Sequence, residues 1–100
     1  METVRMVYWK NIKLVYDQKT HWHIAEHGVD ISEVHNVLAG RFSNQRIIVN
    51  GVLRYLLLGE SYGRILNVIL EPVGGDNMLL ITVWDAPESR KKLYKRTIKR

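Results

Sequence analysis

Apolar residues concentrate in the second half of the chain, in short runs that turn-forming residues separate. The runs cover residues 53–58, 65–70 and 78–84. Leucine-rich and β-branched runs of this length are typical of consecutive strands. Asn50 and Gly51 precede the first run, and this dipeptide favours a β-hairpin turn because both positions need positive φ. The pattern predicts an antiparallel meander of four strands, with the first strand at residues 45–49 and a later turn at residues 59–63.

The first half of the chain carries helical periodicity. Residues 18–27 predict a short helix with Trp22, Ala25 and Glu26 on one side, and Gly28 ends it. Before it, residues 13–17 read as a strand whose last residue, an aspartate, suits the helix N-cap. Residues 1–12 form either an extra strand or an arm.

A second helix is predicted between Asp30 and Gly40. Asp30 suits the N-cap, and Glu33 stands three positions later, as in a capping box. Its apolar positions form one stripe at helical spacing: Ile31, Val34, Val37 and Leu38. The order strand, helix, helix, four strands, helix predicts a single α+β domain over residues 1–100. In it, helices pack on a small antiparallel sheet of about four to five strands.

The last segment predicts a basic helix. Pro87 suits its first turn, with Asp85 or Ala86 as N-cap. Residues 90–100 hold seven basic residues and no acidic one, whereas residues 1–89 hold eight basic and ten acidic residues. The net charge of +5 is therefore local, which indicates an anionic partner at one place on the molecule.

Composition excludes several kinds of functional site. The chain has no cysteine, which excludes disulfides, zinc–thiolate sites and a thiol nucleophile. No apolar stretch reaches the roughly 20 residues that a membrane span needs, and the N-terminus lacks a signal-peptide pattern. Phosphate-cradling glycine motifs are also absent. We therefore expect a cytoplasmic protein with no cofactor and no membrane partner.

The histidines offer acid–base or metal chemistry. His23 and His27 share a helix face at a spacing that could hold a metal ion, but no third ligand accompanies them, so we expect no metal site. Such residues are commonly solvated. A proton-transfer role is the alternative, because imidazole titrates near neutrality.

Arg54 and Arg64 stand within or beside apolar strands. Each guanidinium must find water, a carboxylate or a phosphate. Salt bridges with Glu60 or Glu71 are one outcome. Phosphate binding together with the basic helix is the other. Tyr94, in that helix, could donate a proton, stack on a base or pack against the sheet.

The order of several short motifs across residues 13–96 resembles that of the BrnT-like toxins of toxin–antitoxin modules. The motifs are Glu26-His27-Gly28-Val29, Glu33-Val34, Arg54-Tyr55, Leu58-Gly59, Gly63-Arg64-Ile65-Leu66, Leu80-Ile81-Thr82-Val83-Trp84-Asp85-Ala86 and Arg90-Lys91-Lys92-Leu93-Tyr94. The resemblance implies a RelE-like fold, ribonuclease activity that inhibits growth, and an antitoxin partner. It differs at Trp84, where the family usually has an arginine.

These observations lead to one hypothesis and one alternative. The hypothesis is a type II toxin acting as a metal-independent endoribonuclease hydrolase, either a homodimer or a heterotetramer with its antitoxin. Arg54 and Arg64 would hold the phosphate in one cleft with Arg90, and His27 or Tyr94 would transfer protons. The expected RNA-binding residues are Trp84, Arg90, Lys91, Lys95 and Arg96. The alternative is a non-catalytic RNA- or protein-binding module on the same fold, which Trp84 favours.

Overall fold

Five strands form one mixed sheet in the order β1-β5-β4-β3-β2. The computed structural model describes residues 7–98. The strands are β1 (Lys13–Val15), β2 (Phe42–Val49), β3 (Val52–Ser61), β4 (Arg64–Pro72) and β5 (Asn77–Asp85). The helices are α1 (Gln18–Glu26), α2 (Ile31–Ala39) and α3 (Glu88–Thr97), preceded by a short 3-10 helix (Trp9–Asn11). The predicted α+β class is confirmed.

Strands β2 to β5 form the predicted antiparallel meander. Asn50 and Gly51 both have positive φ, as the predicted hairpin turn requires. The prediction of a turn over residues 59–63 is too wide, because β3 continues to Ser61 and only Tyr62 and Gly63 lie between it and β4.

Gly59 explains this difference. A Cβ atom at this position would lie 2.6 Å from Cγ1 of Val37 on α2. The glycine therefore lets the helix approach the sheet closely, which is a packing role within a strand and not a turn signal.

β1 makes the sheet mixed. It lies at the edge and pairs in parallel with β5, with Leu14 opposite Met78. Parallel neighbours need a crossover connection, and here the chain between them includes α1, α2 and the meander. The extra strand or arm predicted for residues 1–12 falls partly outside the described residues. Trp9 begins the 3-10 helix instead, and its ring packs edge-on against Phe42 and Tyr55.

Local side chains fix the starts of the first two helices as predicted. The Asp17 carboxylate accepts a hydrogen bond from the Thr20 backbone N–H at 2.8 Å. Asp30 and Glu33 form the predicted capping box, in which Glu33 Oε2 accepts from the Asp30 N–H at 3.0 Å.

The main core lies between the sheet and the first two helices. The predicted stripe of α2 is buried there, apart from the partly buried Leu38. The predicted side of α1 is wrong: Ile24 is its buried residue, and Trp22 is 63% exposed. The helix packs through one isoleucine because its neighbours on that face, Thr20 and His21, are polar and only half-buried.

α3 packs on the opposite face of the sheet. A small apolar cluster holds it there, made of Leu58, Ile65, Ala86 and Tyr94. The helix begins at Glu88 with Pro87 at the N-cap, so the prediction of Asp85 or Ala86 as N-cap is wrong. The Asp85 side chain instead accepts hydrogen bonds from Arg64. Within residues 7–98 no helix combines the length and apolar character of a membrane span.

Candidate nucleic-acid interface

Arg64 is the most fully engaged side chain of the predicted site. Its Nε and Nη2 donate to the two carboxylate oxygens of Asp85 at 2.7 and 2.8 Å. Nη1 donates to the carbonyl oxygen of Gly28 at 2.7 Å and to Glu33 at 3.1 Å, and Nη2 also reaches the carbonyl oxygen of His27 at 3.4 Å. A guanidinium has five N–H donors, so a phosphate at Arg64 would have to displace one of these acceptors.

The Arg64 contacts join the start of β4 to three other parts of the chain. These are the junction between α1 and α2, the first turn of α2 and the end of β5. Hydrogen bonds from Arg64 hold the pKa of Asp85 below its usual range, although partial burial opposes this, and the Lys91 charge adds to the effect. The pair with Asp85 in turn raises the pKa of Arg64. Arg64 therefore positions the backbone on which His27 stands.

Arg54 lies on the other face of the sheet. Arg64 is paired with Ser61, and Arg54 stands seven positions before Ser61 on the same strand. An odd separation places side chains on opposite faces, roughly 23 Å apart along the strand. Arg54 Nε pairs with Glu71 at 3.2 Å, which is one of the two predicted salt-bridge partners. The prediction that Arg54, Arg64 and Arg90 share one cleft is therefore wrong for the two strand arginines.

Tyr94 is a packing residue in this structure. It is 5% exposed, and its hydroxyl donates to the carbonyl oxygen of Arg41 at 3.3 Å. The ring lies in the apolar cluster under α3. This matches the structural role that the sequence left open for Tyr94. A buried phenol is also poorly placed to reach a phosphodiester.

His27 stands beside a second histidine. The rings of His23 and His27 meet edge to face with their centroids 5.2 Å apart, and both residues are exposed. His23 Nε2 lies 3.3 Å from the Thr82 hydroxyl on β5. Within residues 7–98, no group of three or more histidine, cysteine or acidic residues has the arrangement to hold a metal ion.

A shallow cavity opens next to this pair, between α1 and β5. It is lined by Asp17, Lys19, Thr20, Trp22, His23, Glu26 and Ile81. The strand is irregular at this point. Ile69 pairs with Thr82 whereas Leu70 pairs with Leu80, so Ile81 has no partner on β4 and forms a bulge. Bulges commonly re-aim side chains beside functional sites.

The four predicted RNA-binding residues of α3 differ in exposure. Lys95 and Arg96 are exposed, while Arg90 and Lys91 are half-buried beside the buried Tyr94. Lys91 Nζ lies 3.5 Å from Glu88, and its charge also acts on Asp85.

Trp84 lies on the sheet itself, on the face against which α3 packs. It pairs with Asn67, which pairs in turn with Leu58, so the three form a row across the α3 face of the sheet. Asn67 is 3% exposed, and its carboxamide oxygen has no hydrogen-bond partner among residues 7–98. Sequence reasoning missed this asparagine, since it reads as one polar residue within an apolar run.

Together these elements define a small α+β domain with two helices on one face of a mixed sheet and a basic helix on the other. Its fold is similar to that of the Brucella abortus ribonuclease toxin BrnT, whose crystal structure matches with a TM-score of 0.57 and 26% sequence identity. The match covers 78% of this chain and 100% of that chain. The sequence matches no protein-family profile and no curated protein. The predicted resemblance to BrnT-like toxins is thus confirmed at the level of the fold.

Two contacts at the site could not be found from the sequence pattern. Asp85 was expected to cap a helix, and its pairing with Arg64 depends on the register of β4 and β5. The contact between His23 and Thr82 joins residues 59 positions apart. The spacing of His23 and His27 predicted only that these two residues would be neighbours, which they are.

Proposed function

We propose that this protein is the toxin of a type II toxin–antitoxin module and that it cuts RNA without a metal ion. The observation that carries this proposal is the similarity of its fold to a ribonuclease toxin over that toxin's whole length. The predicted cleft of arginines no longer supports it, because Arg54 and Arg64 lie on opposite faces of the sheet.

The charge distribution supports an RNA partner. The described part of α3 holds five basic residues against the single acidic Glu88 at its start. A cationic helix on the surface attracts a polyanion whatever its sequence, and release of counterions makes such binding sensitive to salt. Arg90, Lys91, Lys95 and Arg96 are the RNA-contacting residues in this proposal, with Trp84 and Arg54 as outer contacts on the α3 face of the sheet.

Cleavage requires three operations at the phosphodiester. A base takes the proton of the 2′-hydroxyl, the 2′ oxygen attacks phosphorus, and the bond to the 5′ oxygen breaks as that oxygen receives a proton. The products are a 2′,3′-cyclic phosphate and a free 5′-hydroxyl. His27 is our candidate for proton transfer, because it is exposed and Arg64 holds its backbone. We assign Arg64 to positioning and Tyr94 to packing.

Purified protein and end-labelled RNA test the proposal directly. We expect cleavage in the presence of EDTA, with 2′,3′-cyclic phosphate ends, and growth arrest on expression in bacteria. Substituting Lys91, Lys95 and Arg96 together by glutamine should weaken RNA binding. The slope of the logarithm of affinity against the logarithm of salt concentration should also become shallower, by the amount that about three lost phosphate contacts predict. Intact RNA after prolonged incubation with folded protein would refute the ribonuclease assignment.

The second candidate is a non-catalytic RNA-binding module. Two observations favour it: Trp84 stands where the resembling family has an arginine, and Arg64 has its donors engaged by protein acceptors. On this view the same salt-sensitive binding occurs without product. The cleavage assay separates the two, since only the toxin proposal expects new RNA ends.

The same proposal includes an antitoxin as protein partner and the cytoplasm as location. The protein is expected to form a homodimer or a heterotetramer with its antitoxin. Co-expression with the product of the neighbouring reading frame tests this. A stable complex that suppresses growth arrest would support the module, and growth arrest that no neighbouring product relieves would count against it.

A further inference from the structure

We propose that His23 and His27 together form the proton-transfer pair of an RNA-cleaving site at the junction of α1 and β5, with Lys19 and Trp22 binding the nucleotide. This inference rests on the proposed ribonuclease function and specifies where it occurs. The two rings touch, with centroids 5.2 Å apart, and both residues are exposed to solvent. His23 also lines a cavity between α1 and β5.

Two imidazoles suit this reaction. One must be neutral, to take the proton from the 2′-hydroxyl as that oxygen attacks phosphorus. The other must be protonated, to give its proton to the departing 5′ oxygen. The protonated imidazole also stabilises the extra negative charge that develops on the phosphorane oxygens. Imidazole populates both forms near neutral pH, so a neighbouring pair can supply one of each.

The Thr82 contact supports a residue that changes protonation state. Thr82 Oγ1 lies 3.3 Å from Nε2 of His23. A hydroxyl can donate to a neutral imidazole nitrogen and can accept from the N–H of an imidazolium. The contact therefore orients the His23 ring in either state. Thr82 stands next to the Ile81 bulge, which is the irregular point of β5.

The nucleotide-binding groups lie around the same cavity. Lys19 precedes His23 by one helical turn and lines the cavity, where its ammonium can neutralise a phosphate oxygen. Trp22 also lines it and is 63% exposed, although an indole normally buries more of its surface. An exposed indole beside a cation offers a platform on which a base can stack.

Both acidic and basic groups surround the His23–His27 pair. Asp17 and Glu26 line the cavity on α1, and the Arg64–Asp85 pair with Glu33 lies behind the His27 backbone. Arg64 is balanced by Asp85 and Glu33. Lys19 is the lysine that lines the cavity, and its charge also acts on Asp17, so a bound phosphate would compete with that carboxylate for the ammonium.

Single-residue variants of the full-length protein test the pair, using an RNA oligonucleotide and its analogue with sulfur as the 5′ leaving atom. His23→Gln and His27→Gln should each lower the cleavage rate by about 10²-fold or more, the usual contribution of general acid–base catalysis. The sulfur analogue needs no acid because a thiolate leaves unaided. It should restore the rate of one variant and not of the other, which assigns the acid.

His35→Gln is the matched control, because His35 is exposed on α2 and is not part of the pair. Its rate should equal that of the wild type. Trp22→Ala and Lys19→Gln should weaken RNA binding more than they lower the rate at saturation. Circular dichroism confirms that each variant is folded.

Three outcomes separate the two proposals. Loss of cleavage in both histidine variants, with the control unaffected, supports the pair. If the wild type cuts RNA and His23→Gln cuts equally fast, the pair is overturned while the ribonuclease function stands. If the folded wild type cuts no RNA, both proposals fail.

Discussion

Arg64 and Asp85 join the first residue of β4 to the last residue of β5 through two parallel hydrogen bonds of 2.7 and 2.8 Å. The same guanidinium holds the carbonyl oxygens of His27 and Gly28, where α1 ends. A residue that looks like a phosphate ligand in the sequence thereby fixes the junction between two helices and the sheet. Its effect on any chemistry at His27 is exerted through the backbone.

Substitution of Arg64 by lysine should destabilise the fold. Lysine keeps the charge but cannot reproduce the two-point contact with Asp85 or reach all the remaining acceptors. We expect the free energy of unfolding in urea to fall by about 2 kcal/mol. Arg54→Lys is the matched control, because Arg54 is about as exposed as Arg64 but makes one hydrogen bond, to Glu71, so its substitution should cost under about 1 kcal/mol. Equal losses in both variants would contradict the role of Arg64.

Acid should weaken the Asp85 contact over a defined pH range. The pKa of Asp85 is lowered in the folded state, mainly by hydrogen bonds from Arg64. A lowered pKa means that the contribution is complete above the unfolded value, about pH 4, and is lost as the pH falls through the folded value. The stability difference between wild type and Asp85→Asn should therefore be constant near neutral pH and shrink below about pH 4. Urea titrations at several pH values measure it, and a constant difference down to pH values well below 4 would refute the coupling.

Gly59→Ala should be destabilising although it lies in a strand. The new methyl group would sit 2.6 Å from Cγ1 of Val37 and 3.1 Å from Cβ of Phe42. We expect a loss of about 1–3 kcal/mol from the overpacking. The cost should be smaller in a Val37→Ala background, because the atom in closest conflict is then absent. A double-mutant cycle with no coupling would show that the helix moves away freely.

Asn67→Leu should raise stability. The Asn67 carboxamide oxygen is buried without a partner among residues 7–98, and leucine has a similar shape without the unpaired acceptor. We expect a gain of about 1 kcal/mol in the free energy of unfolding. The control is Asn44→Leu on the exposed edge strand, where the change should stay within about 0.5 kcal/mol. A large loss in Asn67→Leu would show that the amide has a role in the fold.

The local elements were largely predictable, because neighbouring residues in the sequence define them. Asn50 and Gly51 specify a hairpin turn through their positive φ, and Asp30 with Glu33 specify a helix start through two hydrogen bonds. Gly59 misled the prediction, since a glycine that makes room for a helix looks the same as a glycine in a turn. The parallel pairing of β1 was not predicted, because nothing local records which edge of the sheet a three-residue strand will join.

The sequence by itself determined the α+β class, the meander, the starts of the first two helices and the concentration of positive charge in the last helix, since these follow from local periodicity, turn geometry and composition. Only the tertiary structure decided which polar groups meet. Strand alternation placed Arg54 and Arg64 on opposite faces, and β4–β5 register gave Arg64 its carboxylate. A bulged strand brought Thr82 to His23. Contacts between residues distant in sequence depend on register, face and bulge position, which no local pattern encodes.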